Sequence, residues 1–289
     1  MGRGVDHLEG KPVETEAVML VFATADARNL LSLRLCRYPT EDTSWLWARV
    51  ITPGGAWSRF DNYLPCTADR SAIESADVRY ALADNSLVYR RIGPRANPTS
   101  CAVDGILELS EEDSAHRTVP VEIHATLMPR ASHAGFNARR TEIMGLARAT
   151  VRAAGSTWIV EGLGHFHEQP QVEPRFTIGF TYASFWGETI SGVTLFSEGP
   201  NGGQLHRGGR ALRVARFEVS APAPERTVKF SLDSGETLYG SARVVHQHTI
   251  STYGKPWRGH FVAGEIAGER YAGMINDWRS ETLPYLARG

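Results

Sequence analysis

Long apolar runs and paired cysteines are both missing from this chain of 289 residues. No uninterrupted apolar stretch approaches the roughly 18 residues that a membrane-spanning helix needs, so no membrane span is expected. Residues 1–15 are polar and lack the apolar core of a secretory signal, which predicts a cytoplasmic protein. The three cysteines (Cys36, Cys66 and Cys101) are widely spaced and form no C-x-x-C motif, which argues against a disulfide framework or a cysteine zinc site.

An excess of charge of one sign is missing too. The chain has 31 Lys and Arg against 32 Asp and Glu, a formal net charge of −1, so nucleic acid is not an expected partner. The sequence has no G-x-S-x-G elbow, no P-loop and no G-x-G-x-x-G after a predicted strand. Serine hydrolases, P-loop NTPases and dinucleotide-dependent oxidoreductases are therefore disfavoured, and no cofactor is expected.

Helical periodicity is scarce, and short helices are predicted only at residues 71–76 and 277–286. Most of the chain consists of short apolar or alternating segments, such as Val119–Leu127, separated by Gly, Pro, Asn and Asp. The roughly 15 predicted strands are too many for one small barrel of about eight. The sequence therefore predicts an all-β fold of two antiparallel β-barrels packed side by side, over residues 1–135 and 136–289.

The densest group of residues with catalytic chemistry lies just past the midpoint, in Gly162-Leu163-Gly164-His165-Phe166-His167-Glu168. Since side chains alternate along a strand, His165 and His167 are predicted to point to one face and Glu168 to the other. Acid–base catalysis is one interpretation, because histidine titrates near neutral pH. A metal site, as in the H-x-H of cupins, is a second interpretation, and histidines packed with hydrogen-bonding partners are a third.

A second H-x-H motif, His246-Gln247-His248, lies on another predicted strand. If the two pairs met across a barrel, a four-histidine metal site would form. Polar residues that face solvent on an edge strand are the alternative interpretation.

Aromatic residues predict a hydrophobic pocket. Trp45 and Trp47 are two residues apart and share a strand face, so they could line a barrel cavity together with Trp186, or simply fill the core. Arg175 follows the histidine motif in a predicted loop at the barrel mouth, where it could bind a carbonyl or carboxylate or simply be solvated. Polar contacts at the mouth are also predicted from Asp61 and Tyr63, and Tyr63 or Tyr182 could donate to a developing oxyanion.

A family resemblance appears in the second half of the chain. It is carried by Glu142-x-x-Gly145, Ala147–Val151, the turn Ala154-Gly155, and Trp158–Gly164. These residues resemble the carotenoid 1,2-hydratase (hydroxyneurosporene synthase)-like superfamily of tandem lipocalin-like barrels. The motif match covers about residues 140–170, and the tandem layout matches the whole chain.

This resemblance implies that the motif marks the start of a second lipocalin-like barrel. It also implies large apolar substrates such as isoprenoids and polyketides, and related folds include cofactor-free cyclases and pericyclases. Where the family carries Asp-His and then Trp-Gly, this chain has His167-Glu168-Gln169-Pro170. The change of residues favours cyclisation over simple hydration.

The sequence thus predicts a cofactor-independent cyclase or pericyclase, for example a Diels–Alderase, acting on a hydrophobic polyketide or isoprenoid intermediate in an apolar barrel cavity. The alternatives are a hydratase or dehydratase (a lyase) acting on an isoprenoid alkene, and a non-catalytic carrier. The expected partner is a small hydrophobic substrate, no metal is expected, and a homodimer is left open. The predicted catalytic residues are His165, His167, Glu168 and Tyr182. The predicted substrate-binding residues are Trp45, Trp47, Asp61, Tyr63, Arg175, Trp186 and His248.

Overall fold

The computed structural model describes residues 7–8, 11–66, 76–94, 97–113, 117–134, 140–173 and 175–278. Within these residues all regular structure is β-strand, and no helix occurs. The strands of this part of the chain are β1 (His7–Leu8), β2 (Lys11–Pro12), β3 (Thr15–Ala23), β4 (Leu30–Tyr38), β5 (Thr43–Thr52), β6 (Gly55–Pro65), β7 (Val78–Ala81), β8 (Leu87–Ile92), β9 (Ser100–Glu111), β10 (Thr118–Ala134), β11 (Thr141–Ala153), β12 (Ser156–Gln171), β13 (Phe180–Trp186), β14 (Ile190–Ser197), β15 (Gly202–Arg207), β16 (Arg210–Val219), β17 (Glu225–Leu232), β18 (Thr237–Thr252), β19 (Lys255–Ile266) and β20 (Glu269–Trp278).

The strands form two units. The first unit comprises the described residues of 7–22, 29–132 and 140–175. Its ten-stranded sheet has the order β10-β11-β12-β3-β4-β5-β6-β9-β8-β7. Because β9 pairs with both β6 and β10, eight of these strands close into a ring, and β8 and β7 extend beside β9.

Alternation along the strands fills the interior of the first unit. Leu31, Leu33 and Leu35 of β4 belong to its hydrophobic core, as do Leu46 and Ala48 of β5. The opposite face of β3, β4 and β5 is largely buried as well, and all nine residues of β3 are buried. A strand buried on both faces needs a continuous apolar run, which explains why β3 shows no alternation of polar and apolar residues.

The second unit comprises the described residues of 23–28, 133–134 and 176–278. Its strands β13 to β20 close into an eight-stranded barrel in chain order. Aromatic rings fill much of the interior. The ring of Phe230 lies 5.4 Å from that of Phe185 and 5.2 Å from that of Phe217, measured between centroids.

The predicted all-β fold of two barrels is confirmed. The boundary between the units, however, is not at residues 135 and 136, since β11 and β12 are strands of the first unit and the second barrel starts at β13. The small, polar residues 129–134, which suggested a linker, continue the long strand β10.

The histidine motif therefore lies in the last strand of the first barrel and not at the start of the second. The helix predicted at 277–286 is wrong for Asp277 and Trp278, which end β20, and its other residues lie outside the described part of the chain. The helix predicted at 71–76 also lies outside it, apart from Ala76. No helix that could cross a membrane is found among the described residues.

Gly164 is required by the close approach of β12 to β3. A Cβ atom on Gly164 would lie 2.1 Å from the carbonyl oxygen of Val21 and 2.3 Å from Cβ of Phe22. Neither atom can rotate away, so Gly164→Ala is expected to lower the free energy of unfolding by about 1–3 kcal/mol in urea titrations. The control is Gly199→Ala, whose Cβ would lie 3.3 Å from the flexible end of Ile178 and 4.0 Å from Oγ of Ser197. Equal stability of the two variants would contradict this explanation.

Candidate functional site

The antiparallel hairpin of β11 and β12 positions the side chains of the candidate site. Its register places Glu142 opposite His167 and Met144 opposite His165. Ile143 and Phe166, the intervening residues, belong to the core of the first barrel. Glu142, His165 and His167 therefore share the opposite face of the sheet, which we call the outer face of the first unit.

The carboxylate of Glu142 lies between both histidines. Its Oε1 is 3.0 Å from Nδ1 of His167, and its Oε2 is 3.4 Å from Nε2 of His165. Nε of Arg140 donates to the same Oε1 at 2.6 Å. An ionised carboxylate can only accept hydrogen bonds, so a neutral His167 carries its proton on Nδ1 and its lone pair on Nε2.

Burial controls the charge of this cluster, in which the carboxylate and both imidazoles are at most 4% exposed. Burial lowers the pKa of His165 to about 4 and that of His167 to about 3, against the opposing effect of Glu142. Burial also disfavours ionised Glu142, but Arg140 and both histidines hold its pKa below the usual range. Near neutral pH the cluster consists of one carboxylate and two neutral imidazoles, so His167 offers the lone pair of Nε2 as a proton acceptor, and its lowered pKa makes it a weak base.

Glu168 points to the other face, as predicted. It lies in the interior of the first barrel, where its Oε2 accepts a hydrogen bond from Nε of Arg91 at 2.7 Å. Both side chains are fully buried. The structure does not bring Glu168 together with the two histidines, so its position fits a structural ion pair.

Trp45 and Trp47 share a face, as predicted, but not the face that lines the barrel interior. Leu46 and Ala48 occupy the interior, so both tryptophans lie on the outer face, where they are 5% and 6% exposed. Their rings stack with centroids 5.9 Å apart. The guanidinium carbon of Arg34 lies 4.7 Å from the ring centroid of Trp47. The prediction that the two tryptophans line an interior pocket is therefore wrong. They form a stacked aromatic pair on the outer face of the sheet.

The predicted residues at the barrel mouth separate into two groups. Nε of Arg175 donates to Oγ1 of Thr15 at 2.7 Å, and a second guanidinium nitrogen lies 3.4 Å from the carbonyl oxygen of Gln169, on the strand of the histidines. Asp61 accepts hydrogen bonds from Arg59 and from the backbone of Tyr63, whose side chain is 88% exposed. The structure places Arg175, but not Tyr63, beside the histidine strand.

The remaining predicted residues belong to the second unit. Tyr182 and Trp186 lie on the face of β13 opposite its core residues, and Nε1 of Trp186 donates to Oγ of Ser184. The ring of His248 lies 6.0 Å from that of Phe261. A groove of about 380 Å³ on this unit contains none of the predicted site residues.

The second H-x-H motif belongs to β18 of the second unit, whereas the first belongs to β12 of the first unit. Among the described residues no group of three or more His, Cys, Asp or Glu side chains is arranged to hold a metal ion, so the condition for a four-histidine site is not met.

Sequence reasoning missed a buried ion pair in the second barrel. Asp277 accepts hydrogen bonds from Arg226 and from Oγ1 of Thr181, both at 2.6 Å. Burial opposes ionisation of Asp277, but His260, Arg226 and Thr181 lower its pKa to about 2. The sequence-based prediction of site residues also left out Glu142, Arg140, Arg34 and Arg91 of the first barrel.

The sequence matches no protein-family profile, and no curated protein sequence is significantly similar to it. Solved structures share its fold. CghA matches with a TM-score of 0.63 at 10% identity over 92% of this chain and 88% of CghA. CghA with Sch210972 gives 0.57 at 10% identity, over 96% and 94%. NE1406 of Nitrosomonas europaea, a candidate AttH protein, gives 0.53 at 11% identity over 94% of both chains. The tandem-barrel fold that the resemblance implied is therefore confirmed.

Proposed function

We propose that the protein is a cofactor-independent cyclase that closes a ring in a large hydrophobic polyketide or isoprenoid intermediate, for example by a [4+2] reaction. The observation that carries this proposal is the buried dyad of Glu142 and His167, on the same outer face as the stacked Trp45 and Trp47. This face combines a base with an apolar aromatic surface.

Each part has a chemical use. Stacked indole rings bind an extended unsaturated chain through dispersion and can hold it in a folded conformation. Fixing a reactive conformation can lower the barrier of ring closure by up to roughly 7–11 kcal/mol. Nε2 of His167 is a weak base, since burial lowers its pKa to about 3, so it can accept only a strongly acidic O–H proton of the substrate and return it after ring closure, and the product is an isomer of the substrate.

The fold comparison supports ligand binding, because CghA, which has the same fold, has been solved with Sch210972. Hydration of an alkene is less favoured, because that reaction starts with a proton from an acid. The pKa values of His165, His167 and Glu142 are all lowered, so none of the three holds a transferable proton near neutral pH.

Replacing the base tests the proposal. Linear polyenes that end in a 1,3-dicarbonyl group are incubated with the protein, and the products are analysed by mass spectrometry and ultraviolet absorption. We expect a product of unchanged mass with fewer conjugated double bonds, and turnover about 100-fold lower for His167→Ala. His124→Ala, at an exposed site in the same unit, is the control.

The other outcomes separate the alternatives. Intact polyene recovered from a stable complex identifies a carrier, and gain of one water identifies a hydratase. Turnover that is unchanged in His167→Ala removes the base from the mechanism but is compatible with a purely conformational cyclase.

A further inference from the structure

A groove of about 380 Å³ on the outer surface of the second barrel contains none of the residues that the proposed function uses. It is lined by residues of β17, β18, β19 and β20, which are neighbours in the barrel. Its centre is formed by two small residues of β19, Ala263 and Gly264, which leave room above the sheet. The volume lies at the lower end of the range of small-molecule sites, roughly 300–1,000 Å³.

Charges of alternating sign line this groove from one strand to the next. Glu225 of β17 is directly opposite Arg243 of β18, and Glu265 of β19 is directly opposite Arg270 of β20. All four side chains are exposed. The order across the four strands is therefore negative, positive, negative, positive, and the groove carries two groups of each sign.

Neither of these cross-strand pairs closes into an ion pair. Opposite charges that face each other on neighbouring strands usually attract and pair. Within the described part of the chain, however, no ion pair or hydrogen bond joins any of the four side chains to another residue. Other arginines of the same barrel are paired, since Arg207 lies 2.5 Å from Glu269. The guanidinium donors and carboxylate acceptors of the groove are thus available to a ligand.

We propose that this groove binds a short zwitterionic peptide, with its terminal ammonium against Glu225 and its terminal carboxylate against Arg270. The planar guanidinium fork matches the two oxygens of a carboxylate. Ser241, which also lines the groove, offers a hydroxyl group to the amides of the peptide. This site lies in the second unit and is independent of the proposed function.

The spacing of the two terminal contacts sets the length of the ligand. Glu225 and Arg270 lie three strands apart, which corresponds to roughly 15 Å between Cα atoms at the usual strand spacing. Both side chains line the groove and occupy part of this distance. The remaining gap suits about three residues, since an extended tripeptide spans roughly 10 Å.

Triglycine and its blocked forms test the charge pattern without any turnover. The probes are triglycine, N-acetyltriglycine, triglycine amide and N-acetyltriglycine amide, which carry both charges, only the carboxylate, only the ammonium, and neither. Binding is followed at about pH 7, where the terminal amine is largely protonated, and at low ionic strength, where screening is weak. The readout is the backbone amide NMR signals of Ala263 and Gly264. We expect triglycine to bind about fivefold more tightly than either singly charged form, the size of one exposed ion pair.

Two variants identify the group that each terminus contacts. In Arg270→Gln, triglycine and triglycine amide should bind equally, because the carboxylate has lost its partner. In Glu225→Gln, triglycine and N-acetyltriglycine should bind equally, because the ammonium has lost its partner. The matched control is Arg213→Gln, which removes an arginine of the same barrel that is 82% exposed and paired with Asp233, and both differences should persist.

The proposal is overturned if triglycine binds no more tightly than the doubly blocked form, or if it leaves the two groove signals unshifted. It is also overturned if either groove variant keeps the difference that it should abolish. Glycine brings the two charges much closer together and should bind more weakly. Binding of glycine as tight as that of triglycine would contradict the assignment to a peptide.

Discussion

Lowering the pH from 7 to 4 is expected to destabilise the protein by several kcal/mol, because two buried histidines must remain neutral in the folded state. In an unfolded chain histidine titrates near pH 6.5. The folded-state pKa values are about 4 for His165 and about 3 for His167. Between these values and about pH 6.5 the unfolded chain binds more protons, so stability is fully present above about pH 6.5 and falls as the pH drops.

The size of the effect follows from the shifts. One pKa unit corresponds to about 1.4 kcal/mol, so these shifts amount to several kcal/mol, a large part of the stability of a typical protein. Urea unfolding at pH 7, 6, 5 and 4 measures the decline. Carboxylates with lowered pKa values, such as Glu142 and Asp277, begin to lose their contribution only as the pH falls through about 4.5, so the decline between about pH 6.5 and 5 comes from the histidines.

Single substitutions show which histidines cause the loss of stability between pH 7 and pH 4. His165→Gln and His167→Gln should each flatten the dependence of stability on pH between 7 and 4, whatever their stability at pH 7. The control is His124, which is exposed and whose pKa is raised by Asp104 and Glu122. Its contribution has the opposite sign, present at low pH and lost as pH rises, so His124→Gln should leave the decline in place. Equal stability of the wild-type protein at pH 7 and pH 5 would contradict the prediction.

Alternation along a single strand could be predicted from sequence because it is local. The opposite directions of His167 and Glu168, and the shared face of Trp45 and Trp47, follow from the period of two alone. Which face is inside depends on the neighbouring strands. In β5 both faces carry apolar side chains at their centre, so the pattern could not show that Leu46 and Ala48, and not the tryptophans, fill the barrel.

The pairing of Glu142 with His167 can be predicted from the sequence, because the turn between β11 and β12 determines it. Ala154 and Gly155 both have positive φ angles, of 48° and 76°, as in a two-residue turn of type I′. Such a turn sets Ala153 opposite Ser156, and counting back along the hairpin brings Glu142 opposite His167. The small residues predict the turn, and the turn type then fixes the register that places the acid beside the histidine.

The boundary between the two barrels could not be predicted from local sequence, because it depends on contacts between distant segments. The first barrel closes only when β12 returns to pair with β3, near the start of the chain. The buried ion pairs are equally non-local, with a sequence separation of 77 for Arg91 and Glu168 and of 51 for Arg226 and Asp277. In both barrels the buried carboxylate lies on the last strand, Glu168 on β12 and Asp277 on β20, and its side chain points into the interior.

Arg91→Met is expected to lower the free energy of unfolding by about 3–5 kcal/mol, because it leaves the carboxylate of Glu168 charged and without its arginine in the barrel interior. The two side chains are fully buried and joined at 2.7 Å. Urea unfolding at pH 7 measures the loss. The matched control is Arg148→Met, which breaks an exposed pair with Glu161 and should cost less than about 1 kcal/mol.

Removing both charges distinguishes the cost of an unpaired buried carboxylate from the loss of packing by the two side chains. The double variant Arg91→Met with Glu168→Leu should recover most of the stability that the single variant loses, since apolar residues of similar volume can replace a buried pair. If Glu168 is a structural residue, the folded double variant should also keep its turnover of polyenes, in contrast to His167→Ala. A stable Arg91→Met, or a double variant that folds but is inactive, would return Glu168 to the list of catalytic candidates.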